Sequence, residues 1–393
     1  MLLVGLTYHA APVIFMVAAI AAVLLVSYAS ALLSGRSLRA TRGDAGQVFE
    51  NEAFTVTAEL TNEGRAPRLL TTVADNLASG VQPEEAPEFV LPAMWPGQRV
   101  RISYQARAPK RGAYQLGPLS IAASDPFGIF QRWQPLPAAA EAIVYPRPVS
   151  ISGDLDRAGA EPRGATSGER VRAGESGLDF YGVREYQPGD DLRHIHWPAT
   201  AHHGRLTVVE FERGASGSLA VVLDTRAGSE FGAGMETTLE VAVKAAASLL
   251  HWALENDGLA QLALDSAHGP RWVEVDRASR EHEALEALAR AEADGTMPLS
   301  AVAAWVHPRL PRGSTVCIVT AVPDEDLPLA VSELVREGAQ VGLVWIDPSS
   351  FDGKAAPPEE MLASLRSAGA GTVVVRRGDD LGQVLRSVLV ASR

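Results

Sequence analysis

The sequence predicts a membrane-anchored, multidomain protein: an N-terminal transmembrane helix, an antiparallel β-sandwich, then a doubly wound α/β domain. Three observations carry that expectation. Met1 to Gly35 contains no Asp, Glu, Lys or Arg, and the apolar run from Val13 to Leu33 within it is long enough to cross a bilayer as one helix. From about Gln47 to Ile143, short runs alternate apolar and polar residues between turn signals. From Ser218 onward, continuous apolar runs alternate with stretches of helical spacing.

The anchor is assigned to residues 1–35. A secretory leader would need a positive N-terminal region and a shorter apolar core, and neither is present. Pro12 suits a first helical turn, where its missing N–H is not required. Arg36, Arg39 and Arg42 follow the span, so the positive-inside rule places the remaining chain in the cytoplasm, at the cell membrane. The apolar stretch Met1–Leu6 reads either as the remnant of a preceding span or as a short tail outside the cell.

The sandwich is assigned to residues 45–148. Phe54–Leu60 and Val100–Ala106 are model strands, with Asn62-Glu63-Gly64 as a hairpin turn and Asp125-Pro126-Phe127-Gly128 as a tight turn that tucks Phe127 and Phe130 inward. Phe127, Phe130 and Trp133 read as core. Residues 149–174, rich in Gly, Ala, Ser, Arg and Glu without apolar periodicity, read as a linker.

Residues 175–393 hold a charged segment and the α/β domain. Strands are expected at Leu219–Leu223, Leu259–Leu264, Val316–Val319, Val341–Ile346 and Val373–Val375. Helices are expected over Leu239–Glu255, Glu283–Ala291, Leu327–Glu337 and Leu381–Val390. Such a sheet presents its ligand edge at the strand C-termini.

At 393 residues the chain can bury a large core, and its net charge of -12 argues against a nucleic-acid binder. Cys317 is the only cysteine, so no intrachain disulfide can form.

The densest cluster of turn, charged and aromatic residues is Tyr181 to Trp197. Around the bend at Pro188-Gly189, the charges of Arg184, Glu185, Asp190, Asp191 and Arg193 alternate in sign, with Tyr186, His196 and Trp197 beside them. This reads as a structural or protein-binding surface. The expected arrangement brings an Asp of the 190–191 pair onto an arginine. The segment resembles the signature of the domain of unknown function 58 family, as do Arg111–Leu119, Ser124–Phe130, Val144–Arg147 and the strand-like Arg205–Phe211. One departure is His202, where that family usually carries Arg.

The resemblance implies a von Willebrand factor A-like α/β domain. It also implies a bacterial setting beside a MoxR-type AAA+ ATPase, often with a transglutaminase-like membrane protein. The expected role is that of an adaptor for envelope proteins, not an enzyme, with no cofactor.

The residues bear on several chemistries. No G-x-x-x-x-G-K-[ST] loop occurs, and Gly232-Ala233-Gly234 lacks the third Gly of a dinucleotide loop. A von Willebrand A domain holds Mg²⁺ through Asp-x-Ser-x-Ser, whereas here the run is Asp224-Thr225-Arg226-Ala227-Gly228. Arg226 and Gly228 replace both hydroxyl ligands, which leaves a degenerate site at Asp224, Thr225, Arg226 and Thr320. The alternative is a metal-dependent hydrolase using Asp190, Asp191, His194, His196, His202 and His203, since His-x-His on a strand presents both rings to one face. No nucleophile–base pair is recognisable, and the flanking arginines would keep Asp190 and Asp191 ionised.

Overall fold

The computed structural model describes residues 11–34, 37–43, 46–125, 127, 129–151, 179–185, 200, 205–212, 218–256, 258–275, 280–352 and 358–391. The chain divides into two compact units, Met1–Arg147 and, in the main, Pro148–Arg393.

The first unit opens with helix α1, Ala11–Ser34. Its Pro12–Ser30 stretch is, among the described residues, the one helix long and apolar enough to cross a membrane. Phe15, Leu25 and Val26 are exposed along it, unlike the one-sided burial of a core helix.

Strands β1 (Leu38–Arg42), β2 (Val48–Phe49), β3 (Ala53–Asn62), β4 (Arg68–Leu77) and β5 (Gln82–Pro83) come next. They are followed by β6 (Glu88–Met94), β7 (Arg99–Arg107), β8 (Gly112–Ser124), β9 (Gln131–Leu136) and β10 (Ala140–Tyr145). They form two sheets, β1-β3-β7-β5 and β2-β10-β8-β4-β6, with β9 paired to β8. Alternation drives the layering: Phe54, Val56, Ala58 and Leu60 of β3 are buried, and the residues between them face outward or lie half-buried. Leu38, Leu60 and Ile102 of one sheet meet Val73, Met94, Leu119 and Ile121 of the other in a shared core, which is sandwich-like packing.

Four sequence expectations change here. First, the sandwich begins before residue 45, because β1 pairs with β3 and buries Leu38 and Ala40. Second, Arg42 is not a membrane-flanking charge. Its guanidinium is buried, donates from Nη1 to Asp75 at 2.8 Å, pairs through Nη2 with the same carboxylate, and reaches the Ala138 carbonyl from Nε at 2.6 Å. Tyr104 donates to Asp75 as well, at 2.6 Å, so the buried carboxylate is fully engaged.

Third, Asn62-Glu63-Gly64 is no hairpin but the crossing from one sheet to the other. Buried Asn62 holds it, donating to the carbonyls of Ala66 (3.0 Å) and Met94 (2.9 Å) and accepting from the Gly64 N–H (3.0 Å). Fourth, Phe127 and Trp133 are not core. They are 63% and 50% exposed, and only Phe130 is half-buried. Strands β8 and β9 pair antiparallel on either side of this segment, and Asp125 rather than Phe127 is the residue tucked in: its carboxylate is buried and accepts the N–H groups of Phe127 and Phe130.

In the second unit, β11 (Asp179–Glu185) and β12 (Thr207–Glu212) form an antiparallel pair with an irregularity between Phe180 and Gly182. The α/β sheet then comprises β13 (Ser218–Leu223), β16 (Leu259–Leu264), β17 (Arg271–Val275), β18 (Thr315–Thr320), β19 (Gln340–Ile346) and β20 (Gly371–Val375). A small hairpin, β14 (Gly232–Ala233) and β15 (Glu236–Thr237), precedes helix α2, Thr238–Glu255. The remaining helices are α3 (Glu281–Ala289), α4 (Leu299–Val306), α5 (Leu327–Arg336), α6 (Ser349–Asp352), α7 (Glu359–Ser367) and α8 (Leu381–Ala391).

Sheet order is β17-β16-β13-β18-β19-β20. All neighbours are parallel except β16 and β17, so the sheet is doubly wound with one antiparallel edge that periodicity did not reveal. Every residue of β13 is buried, as a central strand covered on both faces requires. On one face Val222, Ile318 and Leu343 pack with Leu299, Leu327, Val331 and Leu365 of α4, α5 and α7. Residues 149–151, expected to open the linker, instead join this unit: the Val149 N–H donates to Ser248 Oγ at 2.9 Å, and Ile151 is buried.

Candidate functional site

The site lies where strands β13, β16, β18 and β19 end, because parallel strands deliver their C-termini to one edge and loops there carry the polar groups. Four aspartates, all buried, collect at these ends: Asp224 after β13, Asp265 after β16, Asp324 after β18 and Asp347 after β19. The exposed Arg376 lies 3.5 Å from Asp347, and a second arginine, Arg226, stands beside Asp224 and Asp324.

Backbone geometry fixes that arginine. The Asp224 N–H donates to Val319 at 2.9 Å, which extends the β13–β18 pairing by one step. The loop is then tied to Gly295 by two hydrogen bonds, from Gly295 N–H to the Thr225 carbonyl (2.8 Å) and from Ala227 N–H to the Gly295 carbonyl (2.9 Å). A Cβ at 295 would come within 2.9 Å of the Thr225 carbonyl oxygen, so the close approach requires glycine.

Arg226 then folds back on its own loop. Nε donates to Asp224 Oδ1 at 3.0 Å and Nη2 to Oδ2 at 2.8 Å, a bidentate fork, while the Arg226 backbone N–H donates to Oδ1 at 3.1 Å. Thr320 Oγ1 donates to Oδ2 at 2.6 Å. The same guanidinium reaches the Val322 carbonyl at 3.1 Å and lies 3.7 Å from Asp324. Burial disfavours its charge, but the hydrogen bonds and charge of Asp224, then the charge of Asp324, outweigh that and hold Arg226 above its ordinary value.

A divalent cation does not fit this arrangement. Both Asp224 oxygens are taken by donors, the hydroxyl ligands are absent from positions 226 and 228, and a fixed cation already occupies the space beside the carboxylate. Thr225 points elsewhere, donating to the Asp265 carbonyl at 2.6 Å. Thr320 is present at the site, but as a donor to Asp224.

The other aspartates hold loops. Asp265 Oδ2 accepts the N–H groups of Thr296 (2.6 Å) and Met297 (2.7 Å), and Asp324 Oδ2 accepts that of Ser300 (2.9 Å) in the first turn of α4. Asp347 takes the N–H and hydroxyl of Ser349 at 3.0 and 2.7 Å. Sequence reasoning named Asp224, Thr225, Arg226 and Thr320 but missed Asp265, Asp324 and Asp347. Their signal was legible all the same: an Asp directly after an apolar strand, or a few residues past one. The hydroxyls beside them, Thr320 and Ser349, are engaged as donors to Asp224 and Asp347. Cys317 is buried in β18, which pushes its thiol up to about 12.

Of the charged signature, Arg184 and Glu185 lie at the end of β11, opposite Val208 and Thr207 of β12. Tyr186, Pro188, Gly189, Asp190, Asp191, Arg193, His194, His196, Trp197, His202 and His203 lie outside the described residues, as does the expected Asp–Arg contact among them. Among the described residues, no group of three or more His, Cys, Asp or Glu is placed to hold a metal ion.

Residues 182–342 match the family model described as "Protein of unknown function DUF58", so the resemblance read from the signature is shown over that segment. The runs at 111–119, 124–130 and 144–147 lie ahead of it. The chain is also 25% identical over 239 residues to "Uncharacterized protein YeaD" of Bacillus subtilis (strain 168), an alignment covering 59% of this chain and 57% of that protein. The chain thus spans little more than half the length of this curated relative.

Similarity to solved structures is faint. The CARDB domain of the PF1109 protein from Pyrococcus furiosus, in complex with di-metal ions, has a TM-score of 0.21 at 11% identity, covering 27% of this chain and 86% of that one. Trypsin-activated alpha-2-macroglobulin from Escherichia coli has a TM-score of 0.24 at 14% identity, covering 40% and 9%.

Proposed function

We propose that this chain is a membrane-anchored adaptor that works through protein–protein contact, with its two folded units in the cytoplasm and a MoxR-type AAA+ ATPase as its partner. A transglutaminase-like membrane protein is a second partner in this reading, and remodelling of bacterial envelope proteins is the task. The α/β unit is read as von Willebrand factor A-like: its sheet order and single antiparallel edge strand are compatible with that architecture.

One observation carries the reading. At the edge where such folds bind ligands, the buried Asp224 carboxylate is neutralised by Arg226 in the same loop, so contact with a partner at this edge needs no bridging metal ion. The anchor rests on α1 and on the cationic residues after it. Arg36 and the exposed Arg39 support the cytoplasmic orientation, while Arg42, paired inside the sandwich, drops out of that count.

The test is a binding measurement between the full-length chain in lipid nanodiscs and a purified MoxR-type ATPase, without nucleotide and with chelator. Saturable binding that survives the chelator supports the adaptor. No binding under any nucleotide condition refutes the named partner. Metal analysis of the same sample addresses the rival reading, since stoichiometric tightly held Zn²⁺ would favour a hydrolase at Asp190 to His203.

A further inference from the structure

The register of the sandwich gathers several loops at the pole where the chain arrives from α1. Leu38, the first residue of β1, pairs with Asn62 at the end of β3. Arg68 at the start of β4 pairs with Met94 at the end of β6, and Ser124 at the end of β8 pairs with Gln131 at the start of β9. The loops after Asn62, Met94 and Ser124 therefore open toward the same end as the chain entry.

That pole exposes large apolar side chains: Trp95 is 64% exposed, Phe127 63%, Ile129 49% and Trp133 50%, with exposed Arg65, Arg132 and a Glu63–Arg39 ion pair at the same end. Large exposed aromatics grouped with arginines are the composition of a membrane interface, where rings sit at headgroup level and guanidinium groups meet phosphates.

The depth of this pole is set by direct contacts to the apolar helix. Ser27 donates its hydroxyl to Asp125, and the Tyr28 ring meets Phe130 edge-on, centroids 5.6 Å apart. Both helix residues fall within the last turn of the Pro12–Ser30 apolar stretch, so the β8–β9 loop sits level with its end. The Asp125 carboxylate is engaged there by the Ser27 hydroxyl and by the N–H groups of Phe127 and Phe130.

We propose that this pole is seated in the lipid bilayer, with Trp95, Phe127, Ile129 and Trp133 at the boundary between headgroups and acyl chains, so that the sandwich lies on the membrane and does not swing from a tether. The proposal rests on α1 spanning the membrane.

Single-site labelling tests both layers separately. Cys317 is buried and stays unreactive, so Phe127→Cys, Trp133→Cys, Phe15→Cys and Glu85→Cys variants of the full chain can each carry one environment-sensitive fluorophore in liposomes of phosphatidylcholine and phosphatidylglycerol. Positions 127 and 133 should show blue-shifted emission, quenching by spin-labelled lipid and protection from iodide. Position 85, near the opposite end beside β5, should show the reverse. Lipid quenching at 15 with iodide quenching at 127 and 133 would overturn the seating while leaving the span intact. Iodide quenching at 15 would overturn both.

Discussion

Substituting Arg226→Ser removes the cation that neutralises buried Asp224 and tests whether a side chain has taken the place of a metal. The variant deletes the two guanidinium bonds of 3.0 and 2.8 Å and leaves the carboxylate with the Thr320 hydroxyl and one backbone N–H. Removing one partner of a buried ion pair costs about 3–5 kcal/mol. The lower end applies, because the Arg226 side chain is 18% exposed and two donors to Asp224 survive. A loss of about 3 kcal/mol lowers the melting temperature of a domain this size by about 6–12 °C. Scanning calorimetry of the full chain in detergent should place that shift in the transition of the α/β unit. Serine also restores an oxygen ligand, so Mg²⁺ or Mn²⁺ at ten times its dissociation constant should return about 1.4 kcal/mol. Arg226→Met should be destabilised similarly and show no such recovery. An unshifted melting temperature in both variants, or calorimetric binding of Mg²⁺ by the unmodified chain, would refute the reasoning.

Three further outcomes are expected. A fragment beginning at Ser37 should fold, whereas one beginning at Ala45 should not, because it discards β1 and leaves Asp75 without Arg42, a loss of about 3–5 kcal/mol; circular dichroism and gel filtration distinguish the two. Tyr104→Phe should cost about 2 kcal/mol in urea unfolding at neutral pH, since it deletes a 2.6 Å hydrogen bond to a buried carboxylate. Cys317 gives the α/β unit an alkaline weakness. Its thiol stands at 9.0 when free and at about 12 when buried, so between those values the unfolded chain has released the proton and the folded chain retains it. Stability should therefore fall above pH 9.0 by about 1.4 kcal/mol per pH unit, a slope that Cys317→Ala abolishes in urea titrations.

The sequence by itself determined most of the secondary-structure elements, because those depend on the spacing of neighbours along the chain. Alternation in Phe54–Leu60 sufficed for a strand, and unbroken apolar runs such as Leu219–Leu223 sufficed for a central strand of a parallel sheet. Arg271–Val275 escaped notice because a short edge strand buries one side only and leaves a weak period.

At the candidate site, an Asp closing β13 with Arg226 two residues on was visible locally. Only the tertiary structure brought Thr320 and Asp324, some 100 residues away, to the same guanidinium and carboxylate. Position in space likewise decided three points where local chemistry misled. Arg42 follows an apolar span but finds Asp75 inside a core. Asn62 begins a turn-like triplet but joins two sheets. Phe127 looks like core, yet its loop ends beside the apolar helix α1, where the buried group is Asp125. Propensity and periodicity report on a residue's neighbours in sequence; burial and charge pairing are settled by groups that only the completed fold brings within a few ångströms.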